Sequence, residues 1–179
     1  MKRGVIFKFV FLSFVLFSTA PVFAVKVCLE NLRKIADARR DLAGRPSLIS
    51  PVVILYRGDE VLLGKRKSSQ AWGFPGGALE HFDKTLEEGA AREVREETGL
   101  EIKNLRLFGM VEEFVEERQR NYFIMLFKAD VADSLAIAQV TEPEKHTEWK
   151  WYSPYHLPSP LFKPNENLLA GPFNPFKSR

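Results

Sequence analysis

Three glutamates stand close together in the segment REVREETGL, which runs from Arg92 to Leu100. In a helix Glu93 and Glu97 are four residues apart and Glu96 follows Glu93 by three, so the side chains cluster on one side. Like charges at this spacing destabilise a helix by about 0.2–0.5 kcal/mol per pair. A hard divalent cation such as Mg²⁺ would offset that repulsion, because it prefers carboxylate oxygens. The alternative is a solvated face of Glu and Arg side chains.

The sequence around the glutamates has the signals of a helix that would carry them. Thr85 followed three residues later by Glu88 is a capping-box pattern, and Gly99 is typical of a helix C-terminus. Together they predict a helix from about Thr85 to Thr98. Its buried face is predicted from apolar residues that recur every four positions, namely Leu86, Ala90 and Val94. The glutamates lie about 100° around the helix from this face, at the edge of the packed surface.

The remaining segments predict an α+β or α/β domain built around this one long helix. A short amphipathic helix is predicted over residues 29–44, and residues 51–66 read as two β-branched strands around a Gly58-Asp59 turn. A Gly- and Pro-rich loop follows at 71–80. Further strands are predicted at 105–117, 121–131 (buried) and 148–152, before a Pro-rich, irregular tail.

The first 24 residues have the order of a secretory leader. Three cations precede an uncharged apolar run, Phe9–Phe17, and Pro21 is followed by Val22-Phe23-Ala24, which fits a small-residue cleavage site. This order predicts a signal peptide over 1–24 and an exported protein. An uncleaved membrane anchor is the alternative, because the chain stays uncharged from Phe9 to Val25, and these 17 residues are at the lower limit for a span. The predicted organisation continues with a helical extension and linker (25–46), one domain (47–170) and a tail (171–179).

Charge and cysteine usage exclude two classes of protein. The formal net charge of +3 comes entirely from the leader, so the rest of the chain has no overall basic character that would indicate binding to a nucleic-acid polymer. Cys28 is the single cysteine, which excludes an internal disulfide. The predicted domain must therefore be stabilised by its hydrophobic core, and no membrane association is expected once the leader is cleaved.

Residues 76–100, GGALEHFDKTLEEGAAREVREETGL, resemble the Nudix box of the MutT/Nudix pyrophosphohydrolases. The family pattern is G-x5-E-x7-R-E-U-x-E-E-x-G-U, in which U is aliphatic. Its second half is matched in full from Arg92 to Leu100. The first half departs from the pattern, because Asp83 stands where the first Glu is expected and the stretch from Gly77 to Arg92 is one residue longer.

The resemblance extends over roughly residues 51–169. The segments LLGKRKSS, before the box, and EPEKHTEWKWYSPYHLPSPLF, after it, are similar to the nucleoside-triphosphate diphosphatase branch of the family. This likeness implies the Nudix fold, an α/β/α sandwich with a mixed β-sheet. It also implies hydrolysis of a nucleoside diphosphate linked to a further group X, by a water molecule activated by Mg²⁺ or Mn²⁺.

The resemblance also implies roles for individual residues. The metal ligands that it indicates are Glu93, Glu96, Glu97 and the Gly77 carbonyl oxygen. Arg92, four residues before Glu96, would orient the glutamates as a catalytic partner. The general base stays open between Glu96, Glu142 and Glu144.

Substrate contacts are predicted on both sides of the box. Lys65 and Arg66 end a strand near the Gly-rich loop and would hold phosphates, with a solvated hairpin end as the alternative. Gly76 and Gly77 expose backbone that a substrate can approach. Four aromatic residues are candidates for stacking on a base, with core packing as the alternative: Phe114, Tyr122, Trp149 and Trp151.

Three functional classes follow. The first is a pyrophosphohydrolase acting on (deoxy)nucleoside triphosphates. The second is the same chemistry on nucleotide sugars, ADP-ribose or dinucleotide polyphosphates, which an exported enzyme would meet more readily. The third is a non-catalytic nucleotide-binding module, suggested by the altered region around Asp83. All three take a small nucleotide as their partner.

Overall fold

A computed structural model of the chain describes residues 29–39, 44–171 and 174–176. The predicted leader, Cys28 and the last three residues of the tail lie outside these ranges. Helices and strands follow in the order α1 (Leu29–Ala38), β1 (Leu48–Arg57), β2 (Glu60–Arg66), β3 (Trp72–Gly73), α2 (Leu86–Thr98), β4 (Ile102–Val115), β5 (Arg120–Val131), β6 (His146–Tyr152) and α3 (Lys163–Ala170). Among the described helices, none is long and apolar enough to cross a bilayer.

The strands form one six-stranded mixed sheet, which confirms the predicted fold class. The order is β3-β2-β1-β5-β4, and β6 pairs with β2. β1 and β5 run parallel at the centre, and the other pairs are antiparallel. The β1–β2 hairpin turns at Gly58-Asp59, as the sequence predicts.

Two apolar layers cover the sheet, one on each face. Phe123, Met125 and Phe127 of β5 belong to the core that includes the buried faces of α1 and α2. The alternate residues Ile124 and Leu126 belong to the second core, which includes α3. Because successive side chains of a strand point to opposite faces, a strand buried on both sides is apolar throughout. β5 has this character from Phe123 to Phe127, where every residue is buried, and the predicted burial is confirmed for that stretch, whereas Lys128 and Asp130 are half-buried.

The helix predicted to carry the glutamates is α2. Its apolar stripe is buried as predicted, with Leu86, Ala90 and Val94 at most 3% exposed. Thr85 is the N-cap residue, and its hydroxyl accepts a hydrogen bond from the Glu88 backbone N–H at 3.0 Å. The reciprocal half of the capping box is displaced, because the Glu88 carboxylate accepts from the Lys84 N–H at 2.9 Å. Gly99 ends the helix with a φ of 69°.

Two predicted segments differ from the structure. α1 ends at Ala38 and not near Gly44, because the Ser47 backbone N–H donates to carbonyl oxygens at the end of the helix and turns the chain into β1. The tail is not irregular throughout. It contains α3, whose first turn includes Pro164, and proline is compatible with that position because the first N–H groups of a helix lack partners.

Replacing the N-cap of α2 is expected to weaken the domain modestly. Thr85→Ala removes the acceptor for the Glu88 N–H, and such a loss costs about 1 kcal/mol of stability. We expect the midpoint of thermal unfolding to fall by a few degrees. Calorimetry of the two proteins in the same buffer measures it. An unchanged midpoint would mean that another residue caps the helix.

Candidate active site

The Gly-rich segment before α2 is held against β1 by backbone and side-chain hydrogen bonds. The Val53 N–H donates to the Pro75 carbonyl at 2.9 Å, and the Ser50 hydroxyl donates to the Gly77 carbonyl at 2.8 Å. Gly76 has a φ of +151°, and a Cβ there would lie 2.4 Å from a backbone oxygen of β1. Only glycine allows this close approach, so the segment forms a rigid wall beside the helix.

Two of the three clustered glutamates of α2, Glu93, Glu96 and Glu97, are buried against this wall. Glu97 is 4% exposed, and its Oε2 accepts the Gly76 N–H at 2.9 Å. Glu93 is 6% exposed, and its Oε2 occupies the space that a Cβ on Gly77 would enter, only 2.3 Å from that position. Glu96 differs, because its side chain is 47% exposed. The structure therefore brings Glu93, Glu97 and the Gly77 backbone together and leaves Glu96 at the rim.

The Arg92 guanidinium organises the start of this cluster. It donates to Asp83 through Nη2 (2.8 Å) and Nε (3.0 Å), and to Glu93 and Glu96 through Nη1 (2.8 Å each). It also donates to the Ala78 carbonyl at 3.1 Å. Asp83 is 4% exposed, and its bond to Arg92 is the main reason that its pKa is lowered. Asp83 thus anchors the guanidinium despite the shorter side chain and the extra residue in the loop.

Burial raises the pKa of both carboxyl groups, because it removes their charged forms from water. Desolvation raises the pKa of Glu97 to about 8, and the neighbouring carboxylates add to the effect. The pKa of Glu93 is also raised, mainly by burial. The His146 Nδ1 lies 4.0 Å from Glu97, but burial lowers the pKa of this imidazole to about 4. The imidazole is therefore neutral at pH 7 and does not balance the charge of Glu97.

Glu93 and Glu97 line a cleft of about 820 Å³. Three cations, Arg66, Arg118 and Lys145, line the cleft with the glutamates, and Glu144 also lines it. Further lining residues belong to the sheet and α3, and they are mostly apolar or aromatic: Val52, Phe74, Tyr122, Leu126, Phe162 and Leu168. The cleft therefore combines charged groups of both signs with an apolar surface that could cover a flat ring.

The structure separates the sequence-predicted site residues into two groups. Those that line the cleft are Arg66, Gly76, Gly77, Glu93, Glu97, Tyr122 and Glu144. Those that do not are Lys65, Arg92, Glu96, Phe114, Glu142, Trp149 and Trp151. Of the second group, Arg92 and Glu96 are connected to the cleft through the guanidinium network.

The predicted contacts of Lys65 and Trp151 with substrate stay predictions, and neither residue lines the cleft. Trp151 packs against the core of the α1 and α2 face, with the Arg57 guanidinium 4.3 Å from its ring centroid. Lys65 pairs with Glu148 at 3.9 Å and approaches the Trp72 ring. The two side chains lie on opposite faces of the sheet, because Trp151 pairs with Leu62, which is three positions before Lys65 in β2.

Some lining residues were missed by sequence reasoning. Asn165 is 6% exposed, and its Nδ2 has no hydrogen-bond partner among the described residues although it lines the cleft. Phe74 and Phe162 contribute rings, and the Arg66 guanidinium lies 4.2 Å from the Phe162 ring centroid. The signal for Asn165 was the Pro-Asn-Glu start of α3, which is visible only when that helix is recognised.

Comparison with known proteins agrees with this geometry. Residues 47–171 match the model of the NUDIX domain. The chain belongs to the Nudix family. A Bacillus subtilis (strain 168) protein that is provisionally named 8-oxo-dGTP diphosphatase is 32% identical over 109 residues, covering 60% of this chain and 66% of the relative, just under two thirds of its length.

Two further comparisons extend the family likeness. An RNA pyrophosphohydrolase of Acinetobacter baylyi is 25% identical over 117 residues, covering 57% of this chain and 70% of that protein. The crystal structure of a MutT NUDIX hydrolase from Burkholderia pseudomallei aligns with a TM-score of 0.62 at 23% identity, covering 70% of this chain and 98% of the other. At that identity the structural likeness speaks for the fold.

Nudix proteins generally use divalent metal ions, and the donor atoms of this cleft suit such an ion. The described residues contain no group of three or more His, Cys, Asp or Glu side chains arranged to hold a metal. Two buried carboxylates, Glu93 and Glu97, and the Gly77 carbonyl offer oxygen donors alone. Mg²⁺ is usually held by one or two carboxylates together with substrate phosphates. The site therefore fits an ion shared with a phosphate ligand.

The raised pKa of Glu97 predicts a pH dependence of stability without metal. Folded protein keeps the Glu97 proton up to about pH 8, whereas unfolded protein releases it near 4.5, so stability falls as pH rises through this window. The depressed pKa of His146 acts oppositely, but only between about pH 4 and 6.5. In EDTA the thermal midpoint should therefore fall from pH 6.5 to 8. Glu97→Gln should flatten this decline, and an unaltered slope would contradict the assignment.

Proposed function

We propose that this Nudix protein hydrolyses a phosphoanhydride bond in a nucleoside diphosphate linked to a further group, with (deoxy)nucleoside triphosphates as the first candidates. One observation carries the proposal. The same cleft contains two buried carboxylates, of which Glu97 has no charged cation in ion-pair contact among the described residues, together with the basic side chains of Arg66 and Lys145 and an apolar surface that includes aromatic rings. The names of the Bacillus and Acinetobacter relatives, an 8-oxo-dGTP diphosphatase and an RNA pyrophosphohydrolase, support the hydrolysis of a phosphoanhydride bond.

The charge distribution in the cleft suggests how a nucleotide would lie. The phosphates would lie near Arg66 and Lys145, whose positive charges attract phosphate oxygens. The base would lie at the apolar end, close to Phe74 and Tyr122, where a flat ring can stack. The Asn165 amide would donate to the edge of the base, which would satisfy its buried Nδ2.

The chain's own residues would prepare the phosphates for attack by water. Glu93, Glu97 and the Gly77 carbonyl would hold Mg²⁺ or Mn²⁺. Such an ion supplies neutralisation of phosphate charge and lowers the pKa of water. Arg92 would keep Glu93 in its orientation through their 2.8 Å contact. Water would attack one phosphorus of the anhydride while the bond from that phosphorus to the bridging oxygen breaks.

The general base is proposed to be Glu144. Its carboxylate lines the cleft and is exposed, so it can accept a proton from water at the cleft mouth. Glu96 is less suited, because its Oε2 accepts a hydrogen bond from Arg92. Glu142 is paired with Lys145 at 2.7 Å and does not line the cleft.

A second candidate is the same chemistry on longer substrates, namely nucleotide sugars, ADP-ribose or dinucleotide polyphosphates. Arg118, in the turn between β4 and β5, also lines the cleft and adds a cation beyond the phosphate region. A charged group attached to the second phosphate would meet it. The predicted export of the protein, which we retain as a proposal, would also favour such extracellular nucleotides.

A panel of nucleotides tests the proposal. Nucleoside triphosphates, nucleotide sugars, ADP-ribose and dinucleotide polyphosphates are incubated with protein and Mg²⁺ or Mn²⁺, and the products are separated by anion exchange. We expect a nucleoside monophosphate as product, formed with metal and not with EDTA. Nucleotide binding without turnover of any compound would instead support a non-catalytic module.

A further inference from the structure

The N-terminal helix α1 contacts the loop that leads into α2. α1 ends at Ala38, before the residues that match the family model begin at 47. Its Arg33 guanidinium nevertheless donates through Nη2 to two backbone carbonyls of that loop, those of Glu80 (3.1 Å) and Asp83 (3.2 Å). The contact spans 47 to 50 positions in the sequence, so it is made by tertiary folding alone.

The loop that Arg33 contacts is the part of the box that departs from the family pattern. It is one residue longer than the pattern, and it closes on itself through Asp83, whose Oδ2 accepts the Glu80 N–H at 2.8 Å. Within the turn the Glu80 carbonyl also accepts the Asp83 backbone N–H at 3.3 Å. Arg33 supplies one donor group to the carbonyls at both ends of the turn, and so holds the longer loop in a single shape.

The far side of the same loop holds the guanidinium that orients the glutamates. Asp83 accepts two hydrogen bonds from Arg92, and Arg92 donates to Glu93 and Glu96 at 2.8 Å. A displacement of the Asp83 backbone would move its carboxylate and therefore Arg92. From Arg33 to the buried Glu93 carboxylate there are only two intervening side chains.

The helix that carries Arg33 is anchored in the hydrophobic core, so the position of the Arg33 backbone is set by core packing. Leu32 and Ala36 are 5% and 3% exposed, in the same core as Val94 of α2. The Ser47 N–H donates to the Ala36 carbonyl at 3.0 Å and ties the helix to β1. The guanidinium is thus positioned relative to α2 by the core that both helices share.

We infer that Arg33 is a positioning residue for the metal-binding glutamates, acting through the Asp83 loop and Arg92. The inference rests on the proposed function, because it assigns a role within that same site. It makes α1 a part of the active site's support, although α1 lies outside the matched domain. Groups that hydrogen-bond directly to a metal ligand typically change metal affinity by about 10–100-fold when removed. Arg33 acts through two further side chains, so we expect an effect at the lower end of that range.

Three variants of the full chain test the inference. Arg33→Gln removes the charge and the double contact, Arg33→Lys restores one ammonium donor, and Lys34→Gln is the matched control. Lys34 is the next residue of α1, and its exposed side chain pairs only with Glu30 in the described residues. The measurements are Mn²⁺ affinity by electron paramagnetic resonance, the thermal midpoint in EDTA, and kcat and KM for the best nucleotide of the panel.

We expect Arg33→Gln to weaken Mn²⁺ binding about tenfold and to lower kcat more than it raises KM. Arg33→Lys should recover part of both, and Lys34→Gln should equal the parent. Parental Mn²⁺ affinity in Arg33→Gln, even with a lower thermal midpoint, would overturn the inference, because it would leave α1 a purely structural role. If Arg33→Gln fails to fold, the same criterion applies to Arg33→Lys.

Absence of turnover in the parent would count against the proposed function instead, since Mn²⁺ affinity is measured without substrate.

Discussion

Turnover should fall by about 10²–10³ when Glu97 is replaced by Gln, a loss of roughly 3–4 kcal/mol of transition-state stabilisation. The amide can still accept the Gly76 N–H, whose bond to Glu97 is 2.9 Å, so the backbone wall should stay in place. What is lost is the negative charge that would hold a divalent ion against the substrate phosphates. Turnover as a function of Mg²⁺ concentration measures the effect.

Stability should respond to the same substitution in the opposite direction. Without metal, Glu97 is a buried carboxyl with a raised pKa next to another buried carboxylate, Glu93, so an uncharged Gln should leave the protein as stable as the parent or slightly more so. Arg95→Gln is the control, because Arg95 is on the same helix but exposed. Parental turnover and metal response in Glu97→Gln would mean that the glutamates only form a surface, and the proposed chemistry would be abandoned.

Arg92→Met should lower the free energy of unfolding by about 3 kcal/mol and also reduce turnover strongly. The Arg92 side chain is 10% exposed and Asp83 and Glu93 are nearly buried, so removing the guanidinium leaves two carboxylates without their partner. Breaking a buried ion pair on one side typically costs 3–5 kcal/mol. Urea denaturation in EDTA measures the loss.

A second variant separates the Arg92 network from simple loss of packing. Asp83→Asn keeps the shape of the side chain and one acceptor oxygen but removes the charge, so it should destabilise the protein less than Arg92→Met does. The double variant should cost less than the sum of the single changes, because the two side chains share their bonds. A loss below about 1 kcal/mol for Arg92→Met would indicate an exposed ion pair of little consequence.

Local signals in the sequence were sufficient for the elements that carry the site. The N-cap at Thr85, the stop at Gly99 and the apolar repeat of Leu86, Ala90 and Val94 predicted α2 to within one residue. The hairpin at Gly58-Asp59 and the buried strand β5 were likewise predicted. These features depend on backbone conformation and side-chain periodicity over a few residues, so neighbouring positions alone contain the information.

The positions of functional side chains depended on contacts between distant segments. Glu93, Glu96 and Glu97 are equivalent in the helical pattern, yet only the first and last are buried, because the Gly76-Gly77 backbone covers them and leaves Glu96 open. Trp151 was predicted as a candidate for stacking on a base, with core packing as the alternative, and its side chain packs against the core that α1 and α2 share. One-residue changes in strand register exchange the two faces, and register is decided by partners far away in the chain.

The sequence by itself determined the family, the mixed α/β class and the helix that presents the glutamates, since these follow from short-range patterns and a nine-residue motif. Only the tertiary structure decided that Asp83 anchors Arg92 across a lengthened loop, that Arg33 of α1 holds that loop, and that Asn165 of α3 lines the far end of the cleft. The contact between Asp83 and Arg92 joins residues 9 positions apart, and the contact between Arg33 and Asp83 joins residues 50 positions apart. Their geometry is set by how the two cores pack on the sheet, which no local pattern specifies.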